Sequence, residues 1–355
     1  MSSVTARVVD WTESGRVPDR VIRHGIRRLL ERKLGEIHAE DIELSATIKN
    51  AFVEMMNDSP VALVPHLANE QHYEVPAAFF EQVLGARNKY SCCYWPEGIE
   101  TLDDAEAASL RKTIERAGIA DGMQVLDLGC GWGSLSLWVA GQFPNASVTS
   151  VTNSQRQHDF IVAAAERRGL ANIRTLVADM NDFSTAKKFD RIVSLEMFEH
   201  MRNYAELFSR ISNWLAPDGR FFMHIFCHRT TPYEYIDKSP SDWMSRHFFS
   251  GGIMPSADLP FYFANDLIVE KRWHWSGKHY ARTLRAWLDR MDERKEAIMP
   301  ILAETYGEDA ADRWWMRWRI FFMACEELFA YKGGQEWFVG HYLLRNRDIR
   351  HASAH

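Results

Sequence analysis

One change of rhythm constrains this 355-residue chain more than any other feature. From Asp103 onward, short apolar runs and amphipathic stretches alternate about every 15–20 residues, the cadence of strand–helix units. "DDAEAASLRKTIERAGI" reads as a helix and "MQVLDLGCGWG" as a buried strand entering a glycine turn. "SLSLWVAGQF" and "ASVTSVTNS" repeat the pattern as helix and strand, and "QRQHDFIVAAAERRG" and "IRTLVAD" repeat it again. "FDRIVSLEMFEHM" is a strand with a charged end, "YAELFSRISNWLAPDG" a helix and "RFFMHIFC" a strand. Such a series predicts an α/β fold, a doubly wound and mostly parallel sheet.

The flanks follow other patterns. "DRVIRHGIRRLLERKLGEI" and "DIELSATIKNAFVEMM" read as two N-terminal helices. The first gathers Val21, Ile22, Ile26, Leu29, Leu30 and Leu34 on one face and Arg20, Arg23, Arg27, Arg28, Arg32 and Lys33 on the other. That basic face is either the solvated side of a docked helix or a contact for an anionic membrane surface or acidic partner. After Cys227 comes a long segment rich in Pro, Gly, Ser and aromatics, a composition and length typical of lids and binding segments. "DLIVEKRWHW" reads as a strand, two long helices follow near 281–303 and 309–331, and "EWFVGHYLLR" closes as a strand. The chain thus divides into an N-terminal helical extension, 1–68, and a main domain, 69–355, in which 228–335 supplies a lid and substrate-binding helices.

Composition narrows the function classes. A net charge of −6 gives no basis for nucleic-acid binding. No membrane-spanning run and no secretory h-region are visible. The five cysteines are odd in number, and Cys92 and Cys93 are adjacent, which suits reduced thiols in a cytoplasmic protein. No CxxC or HxxxH spacing suggests a metal, so none is expected.

The glycine turn carries the first chemistry. Gly129, Gly131 and Gly133 follow a strand and precede a helix, where glycines let a ligand lie against backbone at a positively polarised helix end. The spacing is not G-x-G-x-x-G, so a nucleoside ligand other than NAD is favoured. Asp127 stands beside the turn, ready to hold an ammonium or the turn itself. The next strand ends without an acid but offers Thr152, Asn153 and Gln157, and the third ends at Asp179 and Met180, with Asp179 suited to an adenine amino group. Together these residues suggest S-adenosylmethionine and methyl transfer.

The second chemistry lies in "SLEMFEHMRNY", which places Glu196, Glu199 and His200 at the end of a sheet strand. If the segment begins a helix, Glu196 and His200 lie i,i+4 on one face. An aliphatic amine has a pKa of about 10 and arrives protonated. A carboxylate attracts and orients that ammonium, and a histidine of ordinary pKa accepts its proton before methyl transfer. These three are the candidate catalytic residues.

The segments "HYEVPAAFFEQVLGARNKYSCCYW", "VLDLGCGWGSLSLWVA", "FDRIVSLEMFEHMRNY", "FSGGIMPSADLPFYF" and "EWFVGHYLL" together resemble the coclaurine N-methyltransferase group of the cyclopropane fatty acid synthase superfamily, from about residue 69 to 345. The resemblance implies a class I, Rossmann-like methyltransferase fold with N-terminal helices and a helical lid. It implies S-adenosylmethionine as cofactor, S-adenosylhomocysteine as product, and Tyr90 and Ser91 as further cofactor contacts. In the amine branch, the first glutamate and the histidine of E-x-F-E-H handle the substrate amine; here they are Glu196 and His200. In the lipid branch, bound bicarbonate acts as base on residues matching Cys92, Glu199, His224 and Tyr280, and the position of Glu196 is typically small, often glycine. The resemblance also places Trp318 and Phe321 of "WRIF" among the substrate-pocket aromatics and implies a homodimer. The expected substrate is a small cyclic or aromatic amine of benzylisoquinoline alkaloid type. The alternative is a lipid methyltransferase using bicarbonate, for which alone membrane contact would follow.

Overall fold

The computed structural model describes residues 2–63, 75–238 and 242–347, and side chains from residue 7 onward. The expected boundary at 68/69, and the first residues of the "HYEVPAAFF" segment, lie outside the described residues.

Three helices open the chain: α1 (Ser2–Glu13), α2 (Asp19–Glu36) and α3 (Ile42–Asn57). After α4 (Ala77–Val83) and α5 (Leu102–Ala117) the alternation begins with β1 (Gln124–Leu128), α6 (Ser134–Gln142), β2 (Ser147–Thr152), α7 (Gln155–Arg167) and β3 (Ile173–Val177). It continues through β4 (Phe189–Leu195), α8 (Tyr204–Trp214) and β5 (Leu215–His228). A two-stranded pair, β6 (Tyr233–Glu234) and β7 (Ile253–Met254), brackets the short α9 (Trp243–His247). The chain ends with β8 (Leu267–Trp275), α10 (Gly277–Glu293), α11 (Lys295–Tyr306), α12 (Glu308–Ala330) and β9 (Trp337–Asn346).

The main sheet has seven strands in the order β3-β2-β1-β4-β5-β9-β8. It is parallel from β3 to β5, while β9 runs antiparallel to both β5 and β8. Strand order reverses between β1 and β4, the point at which open α/β sheets bind ligands beyond their carboxyl edges. Local chemistry starts the helices where the sequence suggests. Thr101 caps α5 through Asp104 N at 3.2 Å, Asn203 caps α8 through Glu206 N at 2.9 Å, and Asp41 caps α3 through Leu44 N at 3.0 Å.

The sequence patterns above do not mark α1, whose Val8 and Val9 line a cavity. One expectation changes. The helix expected over 281–303 is two helices, separated at Arg294 with φ −111°. There the Arg294 guanidinium donates to the Gln82 carbonyl at 2.9 Å, and the turn carries Ile298 and Leu302 into the core.

The basic face of α2 meets acids of the same chain. Arg23 pairs with Glu326 at 2.7 Å and Glu327 at 2.9 Å, and Arg27 with Glu327 at 2.8 Å, which fastens α2 to α12. Arg319 of α12 reaches both Asp19 and Asp292. Among the described residues, no helix is long and apolar enough to cross a membrane.

Candidate active site

The chain leaves β1 through Gly129, Gly131 and Gly133, at φ 75°, 54° and 76°. Two of these glycines are also required by close approach. A Cβ on Gly129 would stand 2.7 Å from Met197 Cβ, and one on Gly133 2.7 Å from Ile161 Cγ1. The turn therefore closes tightly against the loop after β4 and against α7, leaving a cleft over the strand ends. The cleft measures about 1120 Å³, counting the part open to solvent.

The sequence-derived cofactor residues come together there. Tyr90 and Ser91 line it from the loop before α5, and Asp127, Gly129 and Gly131 from the turn. Thr152, Asn153 and Gln157 line it from β2 and the start of α7, and Asp179 and Met180 from beyond β3. Asp127 is buried and accepts from Ser136 Oγ at 2.6 Å; burial pushes its carboxyl up to about 6. Thr152 Oγ1 donates to Gln157 Oε1 at 2.6 Å. Gln157 Nε2 and Trp132 Nε1 are buried at the cleft without a protein partner, which is costly for a donor unless a ligand takes the bond. S-adenosylmethionine offers carboxylate and hydroxyl oxygens to such donors and an ammonium to Asp127, so the residues present fit it. Trp132 and Ala62 also line the cleft, although nothing in the sequence pattern points to them; Ala62 is held by Asn181 through its N at 3.0 Å and its O at 3.1 Å.

At the end of β4 the backbone departs from the expected helix. Glu196 sits at φ +52°, a left-handed conformation that costs a non-glycine residue roughly 1–3 kcal/mol at such sites. Only Phe198–His200 form a 3-10 turn, so Glu196 and His200 share no regular helical face. The left-handed step aims the Glu196 carboxylate into a ring of donors. Oε1 accepts from the Cys92 amide at 2.9 Å and stands 3.0 Å from His224 Nε2, and Oε2 accepts from Tyr280 Oη at 2.5 Å. Burial by itself would raise its pKa, but the bonds from His224 and Tyr280 and the charge of Lys89 outweigh it and hold Glu196 below the usual carboxylate range.

His200 is neutral. Burial lowers it to about 4, against the opposing pull of Glu196, so the ordinary histidine pKa assumed from sequence does not hold. Glu199 is fully buried and lines neither cavity. Its Oε1 accepts from Phe226 N at 2.7 Å, and burial followed by the Glu196 charge pushes its carboxyl well up behind the wall.

A second cavity, about 2360 Å³ with its open part, adjoins the cleft. Tyr90, Glu196 and His200 line both spaces. The rest of the second cavity is mostly apolar. Val8, Val9, Val21 and Ile26 come from α1 and α2, Trp243 and Phe249 from the lid, and Phe321 and Phe329 from α12. Tyr280 lines it and stacks on Phe329 at 4.3 Å. Trp318 lines neither space. It is fully buried one layer behind, 4.7 Å from Phe79 and 5.0 Å from Phe248. Cys92 and His224 are also buried and line neither space; both bond to Glu196, which lines the two. Among the described residues, no group of three or more His, Cys, Asp and Glu could hold a metal ion.

Residues 65–336 match the model of the mycolic acid cyclopropane synthetase family. The chain is 38% identical over 353 residues to (S)-coclaurine N-methyltransferase of Thalictrum flavum subsp. glaucum, covering 97% of each chain. It is 31% identical over 275 residues to cyclopropane-fatty-acyl-phospholipid synthase of Escherichia coli K12, covering 77% of this chain and 67% of that one. A crystal structure of coclaurine N-methyltransferase bound to N-methylheliamine and SAH superposes with a TM-score of 0.93 at 36% identity, covering 97% of this chain and 100% of that chain.

Proposed function

The chain belongs to the mycolic acid cyclopropane synthetase family and is an S-adenosylmethionine-dependent methyltransferase, and from that premise we propose that it N-methylates a small cyclic or aromatic amine of benzylisoquinoline alkaloid type. The observation that carries this reading is the junction. An ionised carboxylate and a neutral imidazole stand where a cofactor cleft meets an aromatic cavity. The cofactor supplies an activated methyl group. Glu196 attracts and orients the ammonium of the substrate, and His200, neutral at pH 7, offers a lone pair to its proton. Desolvation in the same cavity also lowers the pKa of the bound ammonium, which eases the loss of its proton. The aromatic walls suit the apolar body of a cyclic amine and its cationic nitrogen.

The lipid alternative requires bicarbonate held by the groups of Cys92, Glu199, His224 and Tyr280. The Cys92 amide, His224 and Tyr280 already converge on the Glu196 carboxylate, and Glu199 bonds to Phe226 N instead. A built-in carboxylate with those partners supports the amine reading.

Glu196→Ala and His200→Ala should each lower turnover of an accepted amine by about 10²–10⁴-fold while cofactor binding, read by calorimetry, stays within about threefold. Full turnover in both variants would end the proposed roles. Methyl transfer to phospholipid vesicles, but to no amine, would replace the substrate class.

A further inference from the structure

Behind Glu196 lies a line of side chains that reaches across the sheet. The antiparallel register of β5 and β9 sets His224 directly opposite His341, and the register of β9 and β8 sets Trp273 opposite His341. His224 and His341 are both fully buried, with His224 Nδ1 and His341 Nε2 3.0 Å apart. The line ends at Arg116, in the last turn of α5, whose Nη1 stands 2.5 Å from His341 Nδ1. Trp273 and Trp275 flank the guanidinium at 5.2 Å and 5.6 Å, and Trp275 lies edge-on to both imidazoles.

The terminal group decides the direction of every bond. A guanidinium donates and cannot accept, and a neutral imidazole has one donor and one acceptor nitrogen. His341 Nδ1 must therefore accept from Arg116, so His341 Nε2 carries the hydrogen and donates to His224 Nδ1. His224 Nε2 then carries its hydrogen and donates to Glu196 Oε1. We propose that Arg116 is a positioning residue for the methyl transfer, setting the tautomers of His341 and His224 so that a donor is always turned toward the Glu196 carboxylate.

The consequence for the reaction rests on the role given to Glu196 above. With the Cys92 amide, His224 and Tyr280 all donating to it, Glu196 stays ionised and orients the amine without keeping its proton. The line of imidazoles offers no acceptor on the side facing Glu196, and Arg116 releases no proton at its far end. The proton of the amine is left to His200, on the cavity side. Other charged or titratable groups around the line are Lys89, which faces both imidazoles, His274 beside His341, and Glu115 and Tyr94 near Arg116.

The test uses the full chain with ¹⁵N-labelled histidine, comparing the parent protein, Arg116→Met and Arg116→Lys. His341→Asn assigns one of the two coupled ring signals. The parent should show His224 and His341 both neutral, with hydrogen on Nε2, from pH 6 to pH 9 in the absence of substrate. Arg116→Met should lose that uniform tautomer. It should also lower kcat about tenfold with KM within about twofold, and move the acid limb of the kcat profile to higher pH, because His341 loses a neighbouring positive charge. Arg116→Lys, which keeps a donor, should restore most of kcat and the parent tautomers. A parent protein with hydrogen on Nδ1 of His224, or with either ring charged at pH 7, would overturn the proposal. So would an Arg116→Met protein that is folded and unchanged in both tautomer and pH profile. If the tautomers behave as stated while no amine is methylated, the positioning line stands and the substrate reading fails.

Discussion

The cofactor cleft and the aromatic cavity beside it share Tyr90, Glu196 and His200 but are built in opposite ways. The cleft is local. Its walls are the ends of parallel strands and the few residues after each, so three short segments, Asp127–Gly131, Thr152–Gln157 and Asp179–Met180, supply most of its predicted contacts. The cavity is assembled from α1, α2, the lid, α10 and α12, segments more than 300 residues apart in places. Its walls are joined by ion pairs across that distance: Arg23 to Glu326 and Glu327, Arg319 to Asp19, and Arg317 to Glu13 at 3.0 Å. A sheet edge can hold one ligand through a change of substrate, because the parts that recognise the other are carried by different elements.

The division can be broken by experiment. Gly129→Ala places a Cβ in a left-handed turn and against Met197, and should weaken cofactor affinity by about 100-fold through a misshapen turn. Calorimetry with the amine alone should show less than a twofold change; an equal loss for both ligands would mean the two spaces are one cooperative unit. Phe321→Ala removes a cavity wall that stacks on Phe248 at 4.4 Å, and should raise KM for the amine by about tenfold, with cofactor affinity unchanged. The smallest effect is one of pH. With the free Asp127 at about 6, a bound cation lowers its pKa, so the complex holds fewer protons than the free protein. Cofactor affinity should thus be flat above pH 7 and fall somewhat under tenfold between pH 7 and pH 5, while Asp127→Asn should bind more weakly and without that dependence. An unchanged slope in Asp127→Asn would assign the effect to another group.

The same contrast explains what the sequence makes legible. The strand–turn–helix order and the polar residues at strand ends are local, and so Gly129, Thr152 and Asp179 are recognisable from the order of residues alone. Side-chain roles that depend on register across the sheet are not. His341 sits in a visibly strand-like segment, but nothing in "EWFVGHYLL" says that it faces His224, or that Arg116 of a distant helix ends the line. Helical spacing suggests a shared face for Glu196 and His200, whereas the left-handed step at Glu196 sets its direction by donors that converge from three other elements. Periodicity cannot separate Phe321, on the cavity, from Trp318, behind it, because both lie on one apolar side of α12. The neutral state of His200 is a property of burial, which no pattern of neighbours along the chain reports.

The left-handed backbone at Glu196 sets a cost against a gain at one position. Glycine would relax the turn, but the Cys92 amide, His224 and Tyr280 would lose the carboxylate on which they converge, and three donors without their acceptor cost at least as much as the strain released. A mutant library sorted for thermal survival alone should therefore not drift toward glycine there.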